Sequence, residues 1–183
     1  MTPQEGNPVT RLRAAVTVIA LAAAVLLGGC SQATPNTTAV VNDVVIHESS
    51  VDQMAEALVS TGAKSTYADA RATSAYTLIL GEVARQVAAQ QGVTLAPADI
   101  AALSTNNPTY TTFLSTPLGE QYAADQVQVN QVGAQVSDWQ ADFAKANVTL
   151  NPRYGSWADL LTQLTSTGSM VPPTGSMSVT SGS

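Results

Sequence analysis

The chain has 183 residues, 13 acidic and 7 basic side chains, a net charge of −6, one cysteine and one histidine. A single cysteine excludes an intrachain disulfide, and with one histidine beside it the chain lacks the soft and imidazole ligands of a zinc site. Its few basic residues are scattered, which argues against the clustered phosphate contacts of nucleic-acid binding.

At the N-terminal end, Arg11 and Arg13 precede an apolar run from Ala14 to Leu27. That run is too short for the roughly 30 Å hydrocarbon core, which takes about 20 residues, so it reads as a signal peptide. Leu27-Gly28-Gly29-Cys30 resembles the lipobox of bacterial lipoproteins, in which the peptide bond between Gly29 and Cys30 is cut and the thiol carries diacylglycerol. The small residues fit a peptidase cleft and the thiol is the natural nucleophile for a thioether. Lipidation is expected at Cys30, and two or three acyl chains give stable anchoring where one gives only marginal binding. With residues 1–29 removed, and with them Glu5, Arg11 and Arg13, 12 acidic and 5 basic side chains remain, a net charge of about −7. The remaining basic residues, Lys64, Arg71, Arg85, Lys145 and Arg153, form no cluster. An anionic bilayer would repel such a chain, so its membrane contact is expected through the lipid.

Cys30 to Thr38 is polar and contains proline, and it reads as a flexible tether spanning about 15 Å. A single folded domain is expected over residues 39–164, long enough for a sizeable core. It opens with "AVVNDVVIH", two β-branched runs around Asn42-Asp43, which predicts a β-hairpin. A helix is predicted from Glu48 to Gly62, capped by Ser49 or Ser50, with Val51, Met54 and Leu58 on one stripe. A second is predicted from Tyr67 to Gln91, where Tyr76, Leu80, Val83 and Val87 recur at helical spacing and Gly92 supplies a left-handed C-cap. Pro97-Ala98-Asp99 starts a short helix that ends near Asn106-Asn107-Pro108.

The longest predicted element runs from Leu118 to Ala146. Tyr122, Val129, Val132, Val136, Trp139 and Phe143 share a stripe interrupted only at Asp125, and Gln121, Gln128, Gln131, Gln135 and Gln140 lie off it. Its β-branched residues and Gly133 lower intrinsic helicity, so packing must hold it. Asn147 to Leu150 then changes to period two and reads as a strand closing on the hairpin, ended by Pro152 and Gly155. Residues 165–183, rich in Ser, Thr, Gly and Pro, read as a disordered tail. The expected class is mainly α, with a small β-hairpin joined by a C-terminal strand.

"AVVNDVVI", "LILGEVARQVAAQQGVTLAPADI" and "VTLNPRYGSW", in that order, resemble the opening strand pair, the helix with its link and the returning strand of the SurA/PrsA-type extracytoplasmic chaperones. The resemblance covers Ala39 to Trp157 and implies a SurA N-terminal-like helical domain. Asp43 stands where that family usually has glycine. There is no room for the parvulin domain of about ninety residues that many members carry, so prolyl isomerase activity is not expected.

Other chemistry is thinly represented. His47 sits at a strand-to-helix junction and reads as a solvated or capping residue, not a catalytic base. Asp138 and Asp142, four apart, read as a solvated helix face ahead of a metal or acid/base pair. No metal, cofactor or catalytic residue is expected. What remains is apolar surface: Tyr76, Leu80, Trp139 and Phe143, with Tyr154 and Trp157. These either form the core or line a groove between loosely packed helices where extended polypeptide docks. Together with the resemblance, the second alternative implies a lipid-anchored chaperone on the extracytoplasmic face of the cell membrane, or the outer membrane where the host has one. Its partners would be unfolded or extended secreted polypeptides. The competing expectation is an accessory lipoprotein docking one specific envelope partner.

Overall fold

The structure, a computed structural model, describes residues 35–166. Cys30, the Gly29–Cys30 cleavage site and residues 1–29 lie outside the described residues, as do most of the tether and the tail beyond residue 166.

The chain order is β1 (Thr37–Val41), β2 (Val44–His47), α1 (Glu48–Ser60), α2 (Tyr67–Gln91), α3 (Ile100–Asn106), α4 (Thr111–Leu114), α5 (Pro117–Gln135), α6 (Trp139–Lys145), β3 (Val148–Leu150) and α7 (Trp157–Ser166), with single 3₁₀ turns at Pro108–Tyr110 and Pro152–Tyr154. The fold is mainly α, with one antiparallel sheet in the order β2-β1-β3. The hairpin and the closing late strand are both present: β1 pairs with β2 through Val41↔Val44 and with β3 through Val41↔Val148. Among the described residues, no helix is long and apolar enough to cross a membrane.

Central position explains why β1 is buried along its whole length. It starts at Thr37, two residues inside the expected tether. Asn36 accepts from the Glu48 amide at 3.0 Å, Thr38 from the Asn151 amide at 2.8 Å, and Thr37 from the Asn151 side chain at 3.1 Å. These bonds fix the segment that composition alone marks as flexible. The turn needs one left-handed residue and Asn42 supplies it, with φ 51°. Asp43 is therefore not called on to replace glycine's freedom.

The core is formed where α2 crosses α1 and α5. Val51, Met54 and Leu58 of α1 meet Tyr76, Ile79, Leu80, Val83 and Val87 of α2, and Tyr122, Val129 and Val132 of α5 close the other side. Thr66 caps α2 by accepting from the Asp69 amide at 3.1 Å, and Gly92 ends it with φ 67°. Two expected starts move. The α1 N-cap is His47, so Ser49 and Ser50 lie inside the first turn, and His47 makes no side-chain cap bond. Asp99 caps α3 from outside, accepting from the Ala102 amide at 2.9 Å, which delays that helix to Ile100.

The long helix expected from Leu118 to Ala146 is two helices. Val136 adopts extended backbone (φ −106°, ψ 113°), and Asp138 starts α6. Ser137 and Asp138 are short polar residues that compete with helical hydrogen bonding, and Gly133 has already weakened the turn before them. The break keeps Val136 buried and swings Phe143 fully into the core. Four short elements go beyond the expectations: α4, which buries Phe113 and Leu114; the 3₁₀ turn before it; the 3₁₀ turn at Pro152–Tyr154; and α7, which buries Leu160 and Leu164 and runs two residues into the expected tail.

Candidate functional site

Three of the four residues expected to line a peptide groove are core. Tyr76 and Leu80 are each 2% exposed and Phe143 is 0% exposed, held between α2, α5 and α6. The Tyr76 hydroxyl is buried without a hydrogen-bond partner, and burial pushes its pKa up to about 12. Trp139 is half-buried, its ring edge-on to Phe143 at 5.5 Å between centroids. The groove is therefore corrected to packed interior: small side chains let the helices approach closely instead of leaving space between them.

The exposed large apolar side chains are Val44 and Val45 on the sheet and Tyr67 at the start of α2, whose hydroxyl is held by Asp52. Val44 and Val45 of β2 are each 42% exposed, and His47 is exposed beside them. β2 is an edge strand, unpaired on its outer side among the described residues. In a hairpin with a two-residue loop, the closing pair Val41–Val44 exchanges hydrogen bonds, so the N–H and C=O of Val45 point outward. The edge thus offers the backbone donor and acceptor of Val45 beside two exposed valine side chains.

The turn at its end is pinned to the helices. Asn42 donates through its side-chain amide to Gln86 of α2, and its backbone amide donates to Asn147 at 2.7 Å. Gln86 donates to the Val41 carbonyl at 3.2 Å and to Glu82 at 2.8 Å. Glu82 in turn accepts from Arg85 at 2.8 Å, and Arg85 also donates to Asp125 of α5 and to Gln128 at 3.2 Å. Asp125 is 1% exposed; desolvation raises its pKa to about 6 against the attraction of Arg85. Burial alone would lower Arg85, but Asp125 and Glu82 outweigh it and hold the guanidinium above its ordinary range. Beside this chain, Asn42, Gln86, Gln90, Asp142 and Lys145 line a shallow cleft of about 60 Å³, room for a few waters only.

A second polar cluster ties the far end of the hairpin. Glu48 accepts from Arg71 and, at 2.7 Å, from the Tyr154 hydroxyl, and Arg71 lies 5.4 Å from the centre of the Tyr154 ring. Arg71 also binds Asp52 at 2.7 Å, and Tyr67 donates to the same carboxylate at 3.0 Å. Burial would raise Asp52, but these bonds keep it below its usual range. The pairs join α1, α2 and the 3₁₀ turn after β3, which is a structural arrangement; the second Glu48 carboxylate oxygen is buried without a hydrogen bond and lies 3.8 Å from Arg153.

Asp138 and Asp142 do not act together: Asp138 starts α6, and Asp142 pairs with Lys145 at 2.9 Å and accepts from Gln91 at 2.8 Å. Among the described residues no group of His, Cys, Asp and Glu is placed to hold a metal ion. The network from Asn42 to Asp125 was not expected from sequence; its one signal is Asp125 itself, the only acid in the apolar stripe of α5. No family model, curated protein or solved structure matches this chain.

Proposed function

We propose that this chain is a lipid-anchored, extracytoplasmic, chaperone-like protein that holds extended or unfolded polypeptide through the open edge of β2, without catalysis. The observation that carries this reading is the unpaired strand edge bearing exposed Val44 and Val45. Extended segments add to such edges by main-chain hydrogen bonds, with side-chain contacts setting preference. Charge and proline, which protect many edge strands, are absent between Val44 and Ile46. The resemblance to SurA/PrsA-type chaperones and the lipobox at Cys30 support the same reading. Because the aromatic residues are interior, the binding surface is moved from the helices to the sheet.

A two-dimensional NMR titration of the chain from Cys30 onward, with a reduced unfolded polypeptide, tests it. Graded amide shifts at Val44, Val45 and His47 are expected, and they should disappear on Val45→Pro, which removes an outward donor. Unchanged amides at millimolar polypeptide overturn the reading and leave the alternative of one specific folded envelope partner.

A further inference from the structure

The α2–α5 interface holds two carboxylates, Asp125 and Glu82, against a single guanidinium, that of Arg85. Asp125 is 1% exposed and its Oδ2 has no hydrogen-bond partner, so the cluster has one positive charge too few and one buried oxygen free to carry a proton. From there hydrogen bonds run without a gap to the sheet: Arg85 to Glu82, Gln86 to Glu82, Gln86 to the Val41 carbonyl, and Asn42 to Gln86. Asn42 is the one non-glycine residue with positive φ among the described residues, so the chain ends where backbone strain is held in place by side-chain bonds.

We propose that Asp125, Arg85, Glu82, Gln86 and Asn42 form a proton-responsive relay, through which the charge at the α2–α5 interface sets the conformation of the β1–β2 turn. With Asp125 ionised, Arg85 divides its donors between Asp125 and Glu82. When Asp125 takes up a proton, its attraction for the guanidinium weakens and Arg85 is left chiefly to Glu82. Glu82 then competes less well for the Gln86 amide, which alters the bonds holding Val41 and Asn42. Asp142 and Lys145 of α6 face the Asn42–Gln86 end across the shallow cleft, and no other charged group faces the relay from the elements packed on α5. α3 and α4 carry none, Glu48 and Asp52 of α1 are engaged by Arg71, Glu56 of α1 is exposed, and Asp142 and Lys145 of α6 pair with each other. On α5 itself Glu120 is exposed.

The relay needs no ligand, so it stands or falls separately from the reading of β2 as a peptide-binding edge. Its test is an NMR pH titration of the full-length chain in detergent micelles. His47→Gln is present throughout, so that the hairpin carries no imidazole. The amides of Val41, Asn42 and Asp43 are expected to titrate with the Asp125 carboxyl carbon, at a shared midpoint near 6. Asp125→Asn should abolish that hairpin transition. Gln86→Ala should leave the Asp125 carboxyl titrating while the hairpin amides become flat. A hairpin transition that survives Gln86→Ala, or hairpin amides that stay flat while Asp125 titrates in the unsubstituted chain, overturns the relay.

Discussion

Gly81 on α2 and Asp125 on α5 are in direct contact: a methyl group placed on Gly81 would stand 2.5 Å from the Asp125 carboxyl carbon and 2.6 Å from its Cβ. The obstacle includes the root of the Asp125 side chain, which cannot swing aside without moving α5. Helix propensity favours alanine over glycine by about 1 kcal/mol, while overpacking typically costs about 1–3 kcal/mol. Gly81→Ala should therefore lower the denaturant midpoint with an unchanged slope. Gly119→Ala should cost more, because there the added carbon would lie 1.9 Å from the backbone oxygen of Phe113, which has no rotamer to change. Urea melts of the two variants should rank them in that order.

Stability should rise as the solution becomes mildly acidic. The folded pKa of Asp125 is raised, to about 6 from 3.8, so the folded chain binds more protons than the unfolded chain between those values. With more protons in the native state, stability falls as pH rises through this window, and the loss is complete above the folded pKa. Asp125→Asn, which stays neutral, should be more stable than the parent at pH 7.5 by about 1–3 kcal/mol. Across pH 4–6 it should lack this contribution to the slope. Thermal melts across that range check both statements, and a variant less stable than its parent at pH 7.5 would refute them.

The hairpin, α2 with its Gly92 cap and the late strand on β1 were legible because each has a periodicity and a turn residue with one physical meaning. The split after Gln135 was not. The apolar stripe continues in phase through Val136, Trp139 and Phe143, and only the Ser137-Asp138 pair marks the break. α7 was missed although Ser156 and Asp159 form a capping box, with Ser156 Oγ donating to Asp159 at 2.6 Å and accepting its amide at 3.2 Å. Three small residues around Trp157 masked that signal. Burial of Tyr76, Leu80 and Phe143 follows from how closely Ala- and Gly-lined helices pack, which no single-chain pattern states. Asp125 stood out in the stripe of α5, but Arg85, which donates to both Asp125 and Gln128, is brought to α5 only by the helix crossing.

Tyr154→Phe should separate a hydrogen bond from the ring that carries it. The hydroxyl donates to Glu48 at 2.7 Å, while Arg71 lies over the ring face at 5.4 Å and also binds Glu48. Phenylalanine keeps the stacked guanidinium and leaves Glu48 with Arg71, so the loss is that of one hydrogen bond to a charged acceptor, about 1.5–3 kcal/mol. Tyr154→Leu removes the ring as well and should cost more. Equilibrium unfolding of both variants measures the difference, and equal losses would mean that the ring contributes nothing.

Phe143→Ala and Trp139→Ala test how α6 is held, because the two rings touch edge-on but differ in burial. Phe143 is fully buried, and its truncation should cost about 3–5 kcal/mol through lost transfer energy and the cavity left behind. Trp139 keeps part of its ring in water, so less apolar area is lost on truncation and solvent can enter the space. Its loss should be clearly smaller, yet not zero, since the indole covers one side of Phe143. The two residues share a contact, so the double variant should be less destabilised than the sum of the single ones. A Trp139→Ala variant as stable as the parent would mean that the ring covers nothing. In that case α6 would depend on Phe143 and on the Lys145–Asp142–Gln91 bonds at its rim.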